Sequence, residues 1–275
     1  MRRTAFAITA AAMLTVAAAA RADPQPDTSS DVAEQDDPTR PTKYFDLRDR
    51  YQDGATNKKN DKVSIILRAN GNVELDESWE LGYRVDFPLV ADNAVTATNP
   101  DGDYKYGVGR PLVSTYLANI IDDRWAYAFG GQVNGPAVSG TQFGNGSWDV
   151  RPLVAVRAML PEISDGSFFV PLFRYAQSFA ASYPGSRPVS NLQISPQLKI
   201  VLPDTWFVTL FPSPDVRWNF GEKAGGQTGR LFLPFDISSG RNFGNLLTSL
   251  EVSVPMVKDY PVYHLKIEAR VCWQL

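Results

Sequence analysis

The chain contains 275 residues with a formal net charge of −3, one cysteine (Cys272) and one histidine (His264). This mildly acidic charge does not favour nucleic-acid binding, and a single cysteine excludes an intramolecular disulfide. A single histidine likewise excludes any site that needs several imidazole groups.

The chain begins with the pattern of a cleaved signal peptide, residues 1–22. Arg2 and Arg3 precede an alanine-rich apolar run over 4–20, which ends in a small-x-small sequence. A permanent membrane helix is the weaker alternative, because a cleavage pattern follows the run. Cleavage before Asp23 leaves 253 residues with a formal net charge of −6, since three arginines are removed.

The composition changes twice after the signal peptide. Residues 23–43 are rich in Asp, Pro, Ser and Thr and almost lack large apolar side chains, so we predict a disordered or loosely held periplasmic lead-in. Residues 44–275 consist of short segments separated by clusters such as 99–102, Asn-Pro-Asp-Gly, which indicate turns. No segment approaches the ~18 consecutive apolar residues of a membrane-spanning helix, so this part could cross a membrane only as strands.

Apolar and polar side chains alternate within these segments. Between 79 and 89 every second residue is apolar, and residues such as Arg84 and Asp86 lie between them. Residues 263–275 alternate in the same way over the longest uninterrupted stretch. Because successive side chains of a strand point to opposite faces, each segment predicts a strand with one apolar and one polar face.

The number of segments predicts the size of the fold. About eleven segments lie between 63 and 275, with a further candidate at 44–51, and bacterial outer-membrane barrels close with even strand numbers. We therefore predict an all-β, antiparallel transmembrane β-barrel of about 12 strands over 44–275. The alternation is weakest near 105–121 and 167–180.

Alternation alone leaves a soluble, lipocalin-like barrel open, so the positions of the tryptophans are informative. All six lie near the start or end of a predicted strand, as expected for membrane-interface aromatics: Trp79, Trp125, Trp148, Trp206, Trp218 and Trp273. If Trp206 and Trp218 share one strand, twelve residues separate them by ~30 Å along the membrane normal, about the height of an apolar band with its girdles. A turn at Pro212 and Pro214 would void this estimate.

Charged residues occupy the polar face of the predicted strands. Twelve of them are predicted to line the lumen: Arg68, Arg84, Asp86, Asp149, Arg151, Arg157, Asp215, Arg217, Glu251, Lys266, Glu268 and Arg270. In a dry core each would cost several kcal/mol unless paired, so a wet or ion-paired lumen is favoured. Two interpretations stay open: a basic ladder of arginines that draws anions, or ion pairs with the acidic residues that make the interior rigid.

The last predicted strand runs to the chain terminus and ends Trp273-Gln274-Leu275. It resembles the C-terminal signal by which outer-membrane barrels are recognised for assembly, with Leu275 in place of the usual aromatic and Arg270 where glycine is frequent. We therefore expect a Gram-negative outer-membrane location. The expected partners are the barrel assembly machinery, outer-membrane lipid, lipopolysaccharide and an unidentified small solute.

Short motifs point to one known family. Apolar-proline-apolar motifs occur at Phe87-Pro88-Leu89, Leu233-Pro234-Phe235 and Val254-Pro255-Met256. The run 191–198, a proline turn at 202–203 and Trp206 form a Gln-rich strand, a turn and a Trp-led strand. Residues 44–275 thereby resemble the bacterial outer-membrane family named for the MetA pathway of phenol degradation, also labelled transporters or, misleadingly, neuromedin U. Gly107-Val108-Gly109 stands where the family tends to have a Gly-rich strand opening, with Arg110 in place of the acidic residue usual there. The resemblance implies a barrel that passes small molecules and no catalytic residues.

Catalytic and metal chemistry have weak support in the sequence. An outer-membrane hydrolase needs a histidine with a serine nearby, commonly two residues away on one strand. His264 has Val262 and Lys266 at those positions, so a polar lumen residue near a strand end is the favoured interpretation. The scattered carboxylates show no metal-ligand spacing, and we expect no cofactor. The acidic stretches 101–103 and 122–123 favour solvated turns over calcium or lipopolysaccharide contacts.

Three functional hypotheses follow, in decreasing order of support. The first is a channel or facilitator for passive passage of small molecules, with hydrophobic or aromatic compounds suggested by the family name. The second is a closed structural or interaction barrel with an ion-paired lumen. The third is an integral outer-membrane hydrolase.

Overall fold

The computed structural model describes residues 37–54, 60–96, 99–184, 186, 188–221, 228–260 and 262–275. The predicted signal peptide and residues 23–36 of the lead-in lie outside the described residues. Within the described part, no helix is long and apolar enough to cross a lipid bilayer.

Fourteen strands, numbered in chain order, make up most of the described residues. They are β1 (Tyr44–Asp53), β2 (Lys62–Glu74), β3 (Trp79–Asp92), β4 (Lys105–Val108), β5 (Leu112–Ile120), β6 (Trp125–Asn134), β7 (Ser147–Met159), β8 (Phe168–Ala181), β9 (Ser190–Val201), β10 (Trp206–Leu210), β11 (Val216–Asn219), β12 (Leu231–Phe243), β13 (Leu246–Lys258) and β14 (Leu265–Gln274).

Antiparallel pairing joins the strands into one closed barrel. β1 pairs with both β2 and β14, and β12 pairs with β13, so the hydrogen-bonded ladder runs around the whole circumference. β4 and β5 both pair with β3, while β10 and β11 both lie between β9 and β12. β4 and β5 together fill one position in the wall, and β10 and β11 together fill another. The 14 strands therefore occupy 12 positions. The structure therefore confirms the predicted antiparallel barrel of about 12 strands.

The two segments with weak alternation have different structural causes. The wall is interrupted at 109–111, between β4 and β5, where Pro111 has no N–H to give to the ladder. β8 is instead continuous over 14 residues. Its alternation is weak because its inward side chains Phe168 and Val170 are apolar and fully buried, as apolar as the outward Phe169 and Phe173.

The two faces of the wall differ sharply in polarity. The outward side chains are exposed and apolar, as with Leu67, Phe87 and Val154, which are 49%, 43% and 47% exposed. The inward side chains include Arg157 and Lys266, which are only 2% and 1% exposed. A soluble lipocalin-like barrel requires the opposite arrangement, with the apolar face inside, whereas lipid around the barrel accounts for the observed one.

The turns and loops indicate the orientation in the membrane. At the end of the barrel near both Tyr44 and Leu275, strands are joined by the turns 75–78, 121–124, 160–167, 202–205 and 244–245. At the other end, most connections are longer: 54–61, 93–104, 135–146, 182–189, 220–230 and 259–264. Bacterial barrels have short periplasmic turns and longer extracellular loops, so the chain ends mark the periplasmic side. The six tryptophans lie at these two ends, four on the periplasmic side and Trp148 and Trp218 on the other.

Three periplasmic turns share one design. An apolar residue donates its backbone N–H to the carbonyl of a tryptophan four residues later, in the pairs Leu75–Trp79, Ile121–Trp125 and Leu202–Trp206, at 2.9, 3.0 and 2.8 Å. In two of these turns, Asp76 and Asp122 accept backbone N–H groups through a side-chain oxygen. The N–H groups of Ser78 and Trp79 lower the pKa of Asp76. Asp122 therefore supports a turn, in keeping with the favoured interpretation of 122–123.

Trp206 and Trp218 belong to one wall position, but the chain between them leaves the wall. Trp206 pairs with Arg241 and Trp218 pairs with Leu231. The twelve residue steps from Trp206 to Trp218 therefore lie opposite only ten residue steps of β12. The two extra residues belong to an inward bulge, 211–215, that contains both prolines. The predicted separation of ~30 Å is therefore corrected to ~25 Å, the height of the apolar band itself.

The last part of the lead-in contacts the barrel wall. Asp37 and Thr39 are 3% and 0% exposed, and a Cβ on Gly82 of β3 would lie 2.9 Å from the Cβ of Pro41. Asp37 faces Arg157 of β7 at 3.7 Å. Residues 37–41 therefore fold into the periplasmic mouth of the barrel, where the wall buries them.

Candidate functional site

Ion pairs inside the barrel repeat one arrangement, an aspartate between two cations, which we call an aspartate unit. Four units occur: Asp46 with Arg48 and Arg270, Asp86 with Arg68 and Arg84, Asp149 with Arg110 and Arg151, and Asp215 with Arg217 and Lys266. In each unit the aspartate and one arginine are two residues apart in the sequence, which within a strand places both side chains on the same face. Taken by themselves, the Asp86 and Asp149 units each retain an excess of one positive charge, whereas Glu268 also binds Arg48 and two further carboxylates lie around Lys266.

The charged residues predicted to line the lumen all point into the barrel. Arg84, Arg151 and Arg217 pair with the aspartates expected of the ion-pair interpretation. Two arginines have other partners, since Arg157 faces Asp37 of the lead-in and Arg270 binds Asp46 at 2.9 Å. The list also includes Glu251, bound to Lys266, and Glu268, bound to Arg48 and Arg50. The ion pairs form, yet they leave cations in excess, so the two interpretations of the arginines are compatible.

A tight cluster surrounds Lys266 in the interior. Its Nζ lies 2.5 Å from Asp215, in direct contact with Glu251 and 3.6 Å from Asp236. The three carboxylates are close enough together to form a cation site. The ammonium group of Lys266 already lies among them, so a divalent ion would have to displace it.

The bulge 211–215 crosses part of the lumen and is held by this cluster. Ser213 donates to Glu251 at 3.0 Å and Asp215 binds Lys266, while the backbone N–H of Phe211 donates to the carbonyl of Asp236 at 2.8 Å. Phe211 has a φ of 51°, which is unfavourable for a residue other than glycine, so these contacts hold a strained turn in place.

The bulge leaves a main cavity of about 400 Å³ beside a minor chamber of about 30 Å³. The main cavity extends along the barrel, from Pro38 and Tyr44 at the periplasmic end to Lys62 and Val90 near the other end. Nine basic and two acidic side chains line it: Arg48, Arg50, Lys62, Arg68, Arg84, Arg110, Arg151, Arg174 and Arg217, with Asp86 and Asp215. The main cavity is therefore strongly cationic although the chain is acidic overall.

Arg174 differs from the other lining arginines because its hydrogen-bond partners are neutral. Its Nε donates to Gln193 at 2.8 Å and its Nη1 to Gln132 at 2.7 Å. Gln193 is itself held by a bond from its Nε2 to Asn191 at 2.7 Å. The guanidinium is thus fixed in position without a carboxylate to offset its charge.

Solved structures of outer-membrane barrels share this fold. The COG4313 outer membrane channel from Pseudomonas putida F1 has a TM-score of 0.62 at 13% identity, over 86% of this chain and 96% of that one. The NanC porin has a TM-score of 0.51 at 11% identity, over 84% of this chain and 100% of its own. The outer membrane phospholipase A from Escherichia coli has a TM-score of only 0.47 at 10% identity, over 93% of this chain and 95% of its own. No protein-family model and no curated protein sequence matches the chain.

This chain folds as a transmembrane β-barrel. The fold agrees with that of the structural neighbours, and the apolar exterior between two ends marked by tryptophans fits a lipid bilayer. At identities of 11–13%, the likeness establishes the fold and does not carry the neighbours' activities across.

Several residues of the cationic lumen were missed from the sequence. Asp46, Arg48 and Arg50 occupy every second position of β1, so the alternation of 44–51 could have identified them. Arg174 was missed because β8 is apolar on both faces over its first half. Arg110 lies in the break between β4 and β5, where no strand pattern is present.

The region around His264 has no arrangement typical of a hydrolase. His264 lies in the turn before β14, and its backbone N–H donates to the carbonyl of Asp53 at 3.0 Å. Among the described residues, its imidazole forms no hydrogen bond with a serine. Nucleophilic catalysis needs such a contact to remove the hydroxyl proton.

Proposed function

We propose that this barrel is a channel for the passive passage of small solutes across the outer membrane, with a preference for anions. The observation that carries the proposal is the main cavity, which extends along the lumen and is lined by nine basic and two acidic side chains. A passage lined by one sign of charge raises the local concentration of oppositely charged solutes. Rings of Arg and Lys select anions in other pores by the same mechanism.

The aspartate units explain how such a lumen can be stable. Arginines at this density repel one another, and each bridging aspartate removes part of the repulsion, while the basic side chains along the cavity still outnumber the acidic ones. Bidentate contacts, as between Arg68 and Asp86 at 2.8 and 2.9 Å, also hold the guanidinium groups in fixed directions. The lining is thus rigid and remains attractive to anions.

Single-channel recording across a potassium chloride gradient tests the proposal. The reversal potential should have the sign expected for chloride permeation. Arg84→Gln should shift it toward zero, since Asp86 keeps Arg68 as a partner and the fold is retained. Arg124→Gln is the matched control, because Arg124 is half exposed in a periplasmic turn and pairs with Glu162. A cation-selective reversal potential, or persistently silent bilayers, would contradict the proposal.

The second candidate is a closed structural barrel, and residues 37–41 in the periplasmic mouth are the observation that favours it. Under this candidate, liposome swelling by small solutes stays at background with the full chain. If the ion pairs close the lumen, deletion of residues 37–41 should leave the swelling at background. If the lead-in alone closes it, the same deletion should increase the swelling.

The resemblance to the MetA-pathway family supports a finer proposal, that the solutes include hydrophobic or aromatic compounds. A polar, cationic cavity does not favour neutral hydrocarbons. A solute that combines an apolar body with a negative charge would fit such a cavity better.

A further inference from the structure

Strand register places two rows of inward-facing residues next to each other on one side of the wall. The first, which we call the upper row, consists of residues paired successively across β3, β5, β6 and β7: Arg84, Ser114, Gln132 and Arg151. The second, the lower row, continues across β5, β6, β7, β8, β9 and β11: Tyr116, Gly130, Leu153, Arg174, Gln193 and Arg217. Arg174 connects the rows through its bond to Gln132.

Arg174 has donor capacity left for a ligand. Three of its five N–H groups bind the side-chain oxygens of Gln193 and Gln132. The other two, one on Nη1 and one on Nη2, have no acceptor among the described residues. Two N–H groups on one edge of a guanidinium match the two oxygens of a carboxylate.

Further cations lie near Arg174. Arg84, Arg151 and Arg217 all act electrostatically on Arg174 and line the same cavity. Arg217 lies next but one in the lower row and uses Nη2 to bind Asp215, while its buried Nε has no hydrogen-bond acceptor among the described residues. Four guanidinium groups in one place repel one another, and a bound anion relieves this repulsion.

The other side of Arg174 is apolar. Leu153 is directly opposite it on β7, and Tyr116 follows two strands further along the lower row. Leu172, two residues before Arg174 on β8, also faces the cavity. Tyr116 packs closely on the wall, since a Cβ on Gly82 would lie 2.3 Å from its ring. The lower row therefore changes from apolar to cationic within three strands.

We infer that these two rows form a binding site for a small carboxylate with an apolar body, such as a ring or a branched hydrocarbon. The carboxylate binds the open edge of Arg174, with Arg217 as a second donor. The apolar body contacts Leu153, Leu172 and Tyr116, which removes apolar surface of both partners from water. This inference rests on the proposed channel function and names the solute class of the same lumen.

Calorimetric titration of the full chain in detergent micelles tests the site with three probes, against micelle blanks. Benzoate has both features, acetate lacks the apolar body and benzyl alcohol lacks the charge. Benzoate should bind saturably, and both other probes at least about tenfold more weakly, because each loses one kind of contact. Equal binding of benzoate and acetate would overturn the inference.

Variants separate the two parts of the site. Arg174→Gln should weaken benzoate binding about tenfold or more, whereas the control Arg124→Gln should leave it unchanged. Arg174→Lys keeps the charge and loses the two-pronged edge, so it should weaken benzoate while the anion preference of the current persists. Leu153→Asn should weaken benzoate and leave acetate unaffected. Unchanged benzoate binding in both Arg174 variants would refute the assignment.

The outcome is distinguishable from that of the channel proposal. A conducting, anion-selective barrel without saturable benzoate binding refutes the site alone. Saturable binding in a barrel that stays silent in bilayers refutes the channel and leaves the site intact.

Discussion

Lys266 provides a sharp test of the ion-paired interior. It is 1% exposed and is surrounded by Asp215, Glu251 and Asp236, the last at 3.6 Å. In Lys266→Met the hydrocarbon part of the side chain is nearly conserved and the positive charge is lost. The variant therefore isolates the electrostatic contribution of this one ammonium group.

The expected cost can be worked out from these contacts. A pair at about 4 Å is worth about 4 kcal/mol at an effective dielectric constant of 20, before desolvation is subtracted. Removal of one partner from a buried pair costs about 3–5 kcal/mol, because the remaining carboxylates are uncompensated. We therefore expect the free energy of unfolding of Lys266→Met to fall by about 3–5 kcal/mol.

Urea-induced unfolding in detergent micelles, followed by tryptophan fluorescence and by the gel mobility of the folded barrel, measures this loss. Arg124→Met is the control, since Arg124 forms an exposed pair with Glu162 that should be worth about 0–1 kcal/mol. A loss below about 1 kcal/mol for Lys266→Met would show that the cluster is hydrated, and the reasoning from buried charge would be refuted.

Two further predictions concern the lead-in and the outer face. Burial raises the pKa of Asp37 above its ordinary 3.8, against the opposing attraction of Arg157, so the docked segment binds the proton more tightly than the undocked one. Docking of 37–41 should therefore be tightest in acid and weaken as the pH rises from about 4 toward the raised pKa. Proteinase K cleavage of the segment, normalised to a free peptide, should accelerate over that range, and a flat profile, as expected for Asp37→Asn, would contradict it. Phe87→Arg, near the middle of β3 on the lipid face, should cost about 2–4 kcal/mol of unfolding free energy, against about 0–1 for Glu74→Arg at a strand end; equal costs would argue against a bilayer around the barrel.

The sequence by itself determined the class of fold and the direction of the two faces. Strand alternation has a period of two that survives any register, so Phe87 and Arg84 belong to opposite faces whichever strands they pair with. The charges identified the inner face, because burial in hydrocarbon is costly for them. The same local reasoning failed in β8, where the wall is apolar on both faces and Arg174 was missed.

Only the tertiary structure decided which charges meet. Asp149 bonds to Arg151 two residues away, but its second partner, Arg110, lies 39 residues away in the break between β4 and β5. The bulge at 211–215 and the docking of Asp37 beside Arg157 likewise depend on what lies across the lumen. The physical reason is that alternation specifies a face and carries no information about register, while ion pairs and a binding site depend on the few ångströms that register determines.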